Sequence, residues 1–240
     1  MREREAIVFL DFDGTITLRD ATDAILDAFA DPEWLQVEDA WLAGQIGSRE
    51  CLAAQMALVT ATRDQVDRLL DEIEVDPGFP TLVAACAARL VPVHIISDGF
   101  DYCIGRILGR PDLNLLARLT DSRIVSSNLY PSGARWRATF PNPPAPCAHG
   151  CATCKPAAMG HLNPNGAVTV FVGDGLSDQY AAASADFVFA KGKLAAFCED
   201  ASIPYAPYDT LATVTTGIER LLGAGGSMTR SLPGKVFPAV

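Results

Sequence analysis

The apolar positions of the chain fall into short continuous runs that alternate with stretches of helical spacing. Buried strands are predicted at residues 6–10, 91–96, 168–172 and 187–189, and one arm of a small hairpin at 124–129. Helices are predicted between and after them, at residues 79–90, 102–108, 155–162, 176–184, 193–200 and 210–222. Strands that alternate with helices form a parallel sheet covered on both faces. We therefore predict an α/β fold with a Rossmann-like, doubly wound parallel sheet.

The stretch between the first two predicted strands carries amphipathic helical patterns and no strand pattern. It is too long for a single crossover connection, so we predict a helical cap inserted after the first strand. Ser48 is expected to cap one of its helices. The predicted division is a core of residues 1–16 and 79–222, a cap of residues 17–78, and a flexible C-terminal tail of residues 223–240.

Composition and charge narrow the functional class. Of the 240 residues, 49% are apolar and 20% are charged, which is ordinary for a globular protein. The net charge of −10 disfavours nucleic acid as a partner, because its phosphates would be repelled. The apolar run at 6–10 is too short for a signal peptide, and no run is long enough for a membrane span. We therefore expect a cytoplasmic monomer or homodimer with reduced cysteines and no membrane partner.

Polar clusters follow the predicted strands or open a predicted helix. They are Asp11-Phe-Asp-Gly-Thr15, Ser97-Asp-Gly99, Lys155-Pro156 and Gly173-Asp-Gly-Leu-Ser-Asp178. Each alone has a plain structural explanation, as a turn, a helix cap or a solvated surface charge. Ligands of open parallel sheets bind beyond the carboxyl ends of the strands. Clusters that all lie at that edge therefore indicate a binding site.

The paired carboxylates indicate nucleophilic and acid–base chemistry. Asp11 and Asp13 are two residues apart, which places them on one side of extended backbone. One can attack while the other, when protonated, donates a proton to a leaving group. Asp174 and Asp178, four residues apart, face the same way if a helix begins between them. Carboxylates gathered this closely repel one another unless a hard cation lies among them, and Mg²⁺ suits such oxygen ligands.

Lys155 and Ser97 indicate an anionic substrate. Pro156 suits the first turn of a helix, which places the Lys155 charge at a helix N-terminus, where it opposes the helix dipole. A lysine in this position is expected if an anion is also present. The Ser97 hydroxyl and free amides beside it form a cradle for an anion. These residues together predict phosphoryl transfer to an aspartate. A carboxylate and a phosphate repel by about 4 kcal/mol at about 4 Å and an effective dielectric of about 20, and Mg²⁺ and Lys155 offset this repulsion.

In their order, these clusters resemble the four motifs of the haloacid dehalogenase superfamily of phosphatases, over residues 6 to about 215. The resemblance implies that Asp11 is the nucleophile and that Asp13 is the acid and base. It also implies that Mg²⁺ is held by the carboxylates of Asp11 and Asp174 and by the backbone carbonyl of Asp13, with Asp178 in a supporting position.

The same resemblance assigns the phosphate contacts. It implies that Thr15, Ser97 and Gly99 contact the phosphate, and that Lys155 binds both the phosphate and the nucleophile. The second motif departs from the family pattern, because Asp98 stands where a small residue is common. An extra carboxylate there could tune the site or point away from it.

Further segments are more similar to the branch that hydrolyses the enol-phosphate of methionine salvage than to phosphoserine phosphatases. They are the first motif followed by Asp20, the Cys151-Ala-Thr-Cys154-Lys-Pro run and the Phe189-Ala-Lys-Gly-Lys-Leu-Ala run. This similarity implies a small phosphorylated metabolite as the substrate, selected by the cap, with Asp20 close to it. Phosphoserine would call for a cap cation, for which Arg49 and Arg63 are candidates, although we expect both at the surface.

Other activities on the same scaffold stay open at this stage. A phosphotransferase differs only in the acceptor that reaches the aspartyl-phosphate, and a non-catalytic regulatory module could keep the fold. A carbon–halogen hydrolase is less suited, since it needs neither an acid at position 13 nor a metal.

One motif lies outside this chemistry. Cys147, His149, Cys151 and Cys154 are zinc-ligand types within eight residues, and the Cys151–Cys154 spacing is typical of zinc sites. All of them come from one turn, and the usual second pair from a distant segment is missing. Reduced thiols are therefore the favoured interpretation, ahead of a structural zinc and of a disulfide. The remaining cysteines lie in helical patterns and are predicted to be small core residues.

Overall fold

The computed structural model describes residues 5–119, 122–142, 147 and 149–223. Its strands are β1 (Ala6–Leu10), β2 (Val93–Phe100), β3 (Ile124–Ser132), β4 (Arg135–Thr139), β5 (Val168–Gly173), β6 (Phe187–Ala190) and β7 (Ala206–Pro207). Within these residues they form one seven-stranded sheet in the order β4-β3-β2-β1-β5-β6-β7. Its neighbouring strands are parallel except for β3 and β4, which form an antiparallel hairpin. The predicted α/β fold with a mostly parallel sheet is confirmed.

The helices fall into two groups along the chain. Between β1 and β2 lie α1 (Ala21–Phe29), α2 (Trp34–Leu42), α3 (Ser48–Leu58) and α4 (Arg63–Asp71). The others, which belong to the core, are α5 (Phe79–Ala87), α6 (Asp101–Leu108), α7 (Lys155–Leu162), α8 (Gln179–Ser184), α9 (Gly192–Asp200) and α10 (Leu211–Leu222). Short 3₁₀ turns occur at Leu116–Arg118 and Leu176–Asp178.

The side chains of β1 point alternately to the two faces of the sheet and so belong to two hydrophobic layers. Ile7 and Phe9 pack in a layer with residues of α7, α8 and α9. Val8 and Leu10 pack in a larger layer with residues of α5, α6 and α10. Successive side chains of a strand point to opposite faces, so β1 is covered on both. Because β1 pairs with β2 on one side and β5 on the other, the winding reverses at β1, and such a switch point leaves a crevice at the carboxyl end.

Two short segments connect the α1–α4 group to the core. Segments 16–18 and 74–76 run antiparallel and are joined by backbone hydrogen bonds. The buried carboxylate of Asp76 accepts hydrogen bonds from the amides of Gly78 (2.7 Å) and Leu211 (3.0 Å). This ties the junction to the first turn of α10. The junction falls at the predicted borders of the cap, and the division into a cap and a core domain stays a prediction.

The α1–α4 group also packs against the β3–β4 hairpin and α6. The Trp136 indole donates a hydrogen bond to the carbonyl of Ala61 (2.9 Å), and the Ala61 amide donates to the carbonyl of Ala134 (3.0 Å). Arg106 on α6 forms an ion pair with Asp71 on α4. The helices of the predicted cap are therefore attached to the core beyond the two connecting segments.

Several predicted element boundaries were wrong. β2 continues to Phe100 instead of ending at Ile96, with an irregularity in its pairing with β3 between these two residues. α5 ends at Ala87 because the chain turns there toward β2. Ser48 is the first residue of α3, and Gly47 precedes it in the cap position. β7 was not predicted, since a two-residue strand carries no periodic pattern.

The sequence also predicts a flexible C-terminal tail and no membrane-spanning segment. Of the predicted flexible tail, residues 224–240 lie outside the described residues. In the part of the chain that the structure describes, no helix combines the length and apolar character that crossing a membrane requires.

The buried junction makes a prediction about stability. We expect Asp76→Ala to lower the free energy of unfolding by roughly 2–4 kcal/mol, because two buried amides lose their charged acceptor. Urea denaturation followed by circular dichroism measures the change. Asp112→Ala, at an exposed loop aspartate, is the matched control and should change stability by less than about 0.5 kcal/mol. Equal stabilities for the two variants would contradict the role given to Asp76.

Candidate active site

The carboxyl ends of β1, β2 and β5 bring the predicted polar clusters together. Asp11 follows β1, Ser97 lies near the end of β2, and Asp174 follows β5. Lys155 is the first residue of α7, and Pro156 occupies its first turn, as the sequence predicts. Neighbouring parallel strands end at the same edge of the sheet, and this edge faces the crevice at the switch point.

A buried lysine joins two of the carboxylates. Lys155 is 1% exposed, and its Nζ lies 2.9 Å from Oδ1 of Asp11 and contacts Oδ1 of Asp178. Burial by itself lowers the pKa of Lys155, but Asp11 and Asp178 outweigh it and raise the pKa above its ordinary value. Lys155 is therefore a fixed positive charge inside the site.

The carboxylates crowd one another. Asp11, Asp174 and Asp178 each place an oxygen within 4.8 Å of the other two. Burial raises the pKa of Asp11 well above its ordinary value, and the charge of Asp178 adds to the rise. Burial and Asp178 likewise raise the pKa of Asp174 to about 6. The cluster carries more negative charge than Lys155 neutralises, and a divalent cation would correct this imbalance.

The oxygen atoms of this cluster fit Mg²⁺, and their contacts distinguish possible metal ligands from supporting residues. Both oxygens of Asp178 are engaged, because Oδ2 accepts from the amides of Asp174 (3.0 Å) and Gly175 (3.1 Å) and Oδ1 contacts Lys155. Oδ1 of Asp11 is buried, and the Nζ of Lys155 lies 2.9 Å from it. Several carboxylate oxygens that a single ammonium only partly neutralises suit Mg²⁺, which prefers hard oxygen donors. Asp178 suits a supporting position.

The first motif approaches Asp174 closely. Gly14 has a φ of +71°, in the left-handed region, and a Cβ there would lie 2.3 Å from Oδ2 of Asp174. The buried hydroxyl of Thr15 donates to Oδ1 of Asp174 at 2.8 Å. Thr15 therefore holds a carboxylate of the cluster, and its predicted contact with the phosphate stays a prediction.

Asp13 lies at the border between the core and α1. Its Oδ1 accepts from the amide of Ala21 (2.8 Å), and a Cβ on Gly99 would lie 2.3 Å from its Oδ2. Burial raises the pKa of Asp13 well above its ordinary value, and nearby Asp20 adds to the rise. The pKa of Asp20 is itself raised to about 7, by burial and then by Asp23. These surroundings favour a protonated Asp13, as an acid catalyst requires.

Asp20 also has a local structural role. Its side chain accepts from the amide of Asp23 at 2.9 Å and caps the N-terminus of α1. The structure places Asp20 in the lining of the cavity described below, so the cap role and a substrate contact are compatible.

The second motif connects the core to α3. The Ser97 hydroxyl accepts from the amide of Gly99 at 3.0 Å. The next residue, Asp98, accepts from the hydroxyl of Ser48 (2.6 Å) and from the amide of Thr153 (3.1 Å). Sequence reasoning missed the partner of Asp98, because Ser48 has the pattern of a helix cap and lies far away in the chain. Asp98 is thus engaged in linking α3, β2 and the segment before Lys155.

A cavity of about 510 Å³ lies between the core and α1–α3. The predicted site residues in its lining are Asp11, Asp13, Asp20, Ser97, Gly99 and Asp174. Its lining also contains the apolar side chains of Leu18, Trp41 and Leu52 and the polar side chains of Glu38 and Gln55. The Gln55 amide donates to Glu38 at 2.9 Å. Glu38 and Gln55 were not predicted, because polar residues of an amphipathic helix ordinarily face solvent.

Comparison with known proteins agrees with this geometry. Residues 8–183 match the model of a family described as haloacid dehalogenase-like hydrolase. The chain is 31% identical over 222 residues to a 2-hydroxy-3-keto-5-methylthiopentenyl-1-phosphate phosphatase of Geobacillus thermodenitrificans (strain NG80-2), covering 91% of this chain and 98% of that protein. A protein of the same name from Brevibacillus brevis (strain 47 / JCM 6285 / NBRC 100599) is 30% identical over 214 residues, covering 88% and 94%.

Solved structures share the fold. A substrate-bound phosphoserine phosphatase superposes with a TM-score of 0.65 at 16% identity, covering 90% of this chain and 99% of that chain. A phosphoserine phosphatase from T. onnurineus gives a TM-score of 0.64 at 14% identity, covering 89% and 94%. At these identities the likeness concerns the fold alone.

The buried ion pairs make a second prediction about stability. In the absence of divalent cations, Lys155→Met should lower the free energy of unfolding by roughly 3–5 kcal/mol, because Asp11 and Asp178 lose their buried counter-charge. Mg²⁺ should reduce this loss, since it replaces part of the positive charge. Lys193→Met, at an exposed lysine on the cavity rim, is the control and should cost less than about 0.5 kcal/mol. Denaturation in chelator and in Mg²⁺ compares them, and equal losses would contradict the charge argument.

Proposed function

Since the chain belongs to the haloacid dehalogenase-like hydrolase family, we propose that it is a Mg²⁺-dependent phosphatase that hydrolyses a small phosphomonoester through an aspartyl-phosphate. The observation that carries the proposal is the meeting of Asp11, Lys155 and Asp174 at one edge of the sheet. A nucleophilic carboxylate there has a buried ammonium and a cation site beside it. Both are needed before it can approach a phosphate dianion.

In the first step, an oxygen of Asp11 attacks phosphorus. The new bond joins this oxygen to phosphorus, and the bond from phosphorus to the ester oxygen breaks. Protonated Asp13 gives its proton to the departing oxygen, which leaves as an alcohol or enol. Lys155, at 2.9 Å from Asp11, orients the nucleophile and stabilises negative charge on the phosphoryl oxygens.

In the second step, Asp13 acts as a base. It takes a proton from water as the water oxygen attacks phosphorus, and the bond from phosphorus to Asp11 breaks. Inorganic phosphate leaves, and Asp13 is protonated again for the next cycle. When bound, Mg²⁺ supplies Lewis-acid stabilisation of the phosphoryl oxygens, and Asp11, the Asp13 carbonyl and Asp174 would hold it with Asp178 in support.

We propose that Ser97, Gly99, Thr15 and Asp20 contribute to substrate binding. Ser97 and Gly99 lie in the cavity lining together with Asp11, and the hydrogen bond from the Gly99 amide fixes the orientation of the Ser97 hydroxyl. Thr15 acts mainly through the Asp174 carboxylate that it holds. Asp20 borders the cavity from the start of α1.

The cavity lining supports a substrate whose portion beyond the phosphate is uncharged and partly apolar. Relatives at 30–31% identity are named for 2-hydroxy-3-keto-5-methylthiopentenyl-1-phosphate, whose phosphate is followed by oxygen substituents and a methylthio end. Leu18, Trp41 and Leu52 form an apolar surface for such an end, and Gln55 offers an amide beside it. We therefore propose this enol-phosphate of methionine salvage as the substrate.

Phosphoserine is the second candidate, favoured by the structural neighbours alone. Its carboxylate would call for a cation on the cap side, but Arg49 and Arg63 are exposed and do not line the cavity. Arg63 instead donates to the hydroxyl of Tyr102 at 3.2 Å. The cap side carries Asp23 and Glu38, which would repel a carboxylate.

The proposal extends to the location and the oligomeric state of the enzyme. We propose that the enzyme acts in the cytoplasm, as a monomer or homodimer, on a soluble metabolite. Its net charge of −10 supports a small substrate held by local cations rather than a nucleic acid.

The nucleophile is tested by a single substitution. Asp11→Asn should lower turnover by about four orders of magnitude or more, because an amide does not attack phosphorus, while the fold persists. Phosphate release in Mg²⁺ measures the change. Asp27→Asn, at an exposed aspartate paired with Arg19, is the control and should keep wild-type activity. Turnover near the wild-type level in Asp11→Asn would refute the assignment.

The same assay separates the remaining alternatives. Chelation should abolish wild-type activity reversibly, with recovery on addition of Mg²⁺. Product analysis with an added alcohol shows whether phosphate goes to water, as proposed, or to the alcohol, as a phosphotransferase requires. Absence of phosphate release from every member of a broad metabolite panel would favour a non-catalytic module.

Substrate selection by the cavity is tested with Trp41. We expect Trp41→Ala to lower kcat/KM for the methylthio enol-phosphate by about tenfold to a hundredfold, since it loses apolar contact with the substrate tail. Activity on a short phosphomonoester without the tail should not change. Trp34→Ala, on the same helix but outside the cavity lining, is the matched control. A preference of the wild type for phosphoserine or phosphocholine over the enol-phosphate would overturn the substrate proposal.

A further inference from the structure

Outside the phosphate chemistry, the segment from Cys147 to Cys154 gathers thiols and an imidazole. A sulfur of Cys147, a ring nitrogen of His149 and the sulfur of Cys151 lie within 4.8 Å of one another. The thiols of Cys151 and Cys154 both hydrogen-bond to the Cys147 sulfur. None of these cysteines is in a disulfide. The segment thus brings together four side chains whose donor atoms are typical zinc ligands.

The spacing of these atoms suits one tetrahedral ion. Zinc–sulfur bonds of about 2.3 Å place ligand atoms about 3.8 Å apart along the edges of a tetrahedron. The donor atoms of Cys147, His149 and Cys151 already lie within 4.8 Å of one another, so a small adjustment of the side chains would bring them to that spacing. Thiolates with imidazole select zinc over Mg²⁺, which prefers oxygen ligands. The cluster is therefore chemically distinct from the carboxylate site.

We propose that Cys147, His149, Cys151 and Cys154 bind a structural Zn²⁺ through three thiolates and one imidazole. The sequence interpretation as unliganded thiols rested on the lack of a second pair from a distant segment. The fold answers that objection, because three of the donor groups lie together in this one segment and the fourth, the Cys154 thiol, hydrogen-bonds to the Cys147 sulfur. Binding releases the thiol protons to solvent and involves no change in oxidation state.

The surroundings of the ligands support this role. Backbone N–H groups of Cys151 and His149 point to the Cys147 sulfur, and the N–H of Ala157 points to the Cys154 sulfur. Such amide donors stabilise thiolates around a metal. The His149 ring stacks on Tyr180, with centroids 3.9 Å apart, which fixes the orientation of the imidazole.

The position of the cluster indicates what the metal would stabilise. The carbonyl of Gly150 accepts from the amide of Arg49 (3.1 Å), and the amide of Ala152 donates to the Ser48 hydroxyl (2.9 Å), both at the start of α3. Cys154 directly precedes Lys155. A zinc-bound turn would therefore hold the start of α3 against the core and fix the first residue of α7.

Metal content and cobalt spectroscopy test the proposal. Protein without an affinity tag, purified under reducing conditions from zinc-supplemented cells, should contain about one zinc per chain by mass spectrometry of the metal. Cobalt(II) added to the chelator-treated protein should give a thiolate-to-cobalt charge-transfer band with tetrahedral d–d bands. Cobalt at the carboxylates gives no such charge-transfer band, so the two sites are distinguished.

Matched cysteine variants complete the experiment. Cys151→Ser and Cys154→Ser should lose the zinc and the charge-transfer band, whereas Cys86→Ser and Cys198→Ser, at buried helix cysteines, should keep both. Hydrogen exchange of residues 149–153 should rise at least about tenfold when zinc is removed. Reduced wild-type protein with less than about a tenth of an equivalent of zinc and no charge-transfer band would overturn the proposal. A disulfide among these cysteines in protein purified without reductant, together with absence of zinc, would overturn it as well.

Discussion

The site depends on the balance of buried charge. Asp11, Asp174 and Asp178 each place an oxygen within 4.8 Å of the other two, and the buried Lys155 forms ion pairs with Asp11 and Asp178. Removing carboxylates from water costs several kcal/mol each unless positive charge is close by. Lys155 compensates part of this charge, and the proposed Mg²⁺ would offset the remainder. Burial, and after it the negative charge of Asp178, raises the pKa values of Asp11 and Asp174.

The topology makes this arrangement possible with short connections. The winding of the sheet reverses at β1, so the ends of β1, β2 and β5 open onto one crevice. The loop after β5 then folds back on itself, because Asp178 accepts hydrogen bonds from the amides of Asp174 and Gly175. A carboxylate with both oxygens engaged is rigid, and it holds Lys155 in place beside Asp11. In the proposed mechanism, Asp178 therefore supports the site and Asp11 carries out the chemistry.

Most of the sheet and the central charges could be predicted from the sequence, because each depends on a local pattern. Apolar runs mark the strands, and Asp11, Ser97, Lys155 and Asp174 stand where strands end or a helix begins. The contacts that escaped prediction are long-range. Ser48 has the local pattern of a helix cap, yet its hydroxyl bonds to Asp98, 50 residues away. Such a pairing depends on how the α1–α4 group docks, which periodicity does not encode.

Asp98 connects helix α3 to strand β2, where the proposed phosphate contact Ser97 lies. Ser97 and Asp98 are adjacent in β2 and both line the cavity, and Asp98 also accepts a hydrogen bond from Ser48 on α3. Helix α3 also carries Leu52 and Gln55 into the cavity lining. Any displacement of α3 therefore moves the surface that would contact the substrate tail and strains a hydrogen bond next to Ser97. Because Asp98 is half-buried, losing the Ser48 hydroxyl would leave one of its carboxylate oxygens without that hydrogen bond, which favours the docked position.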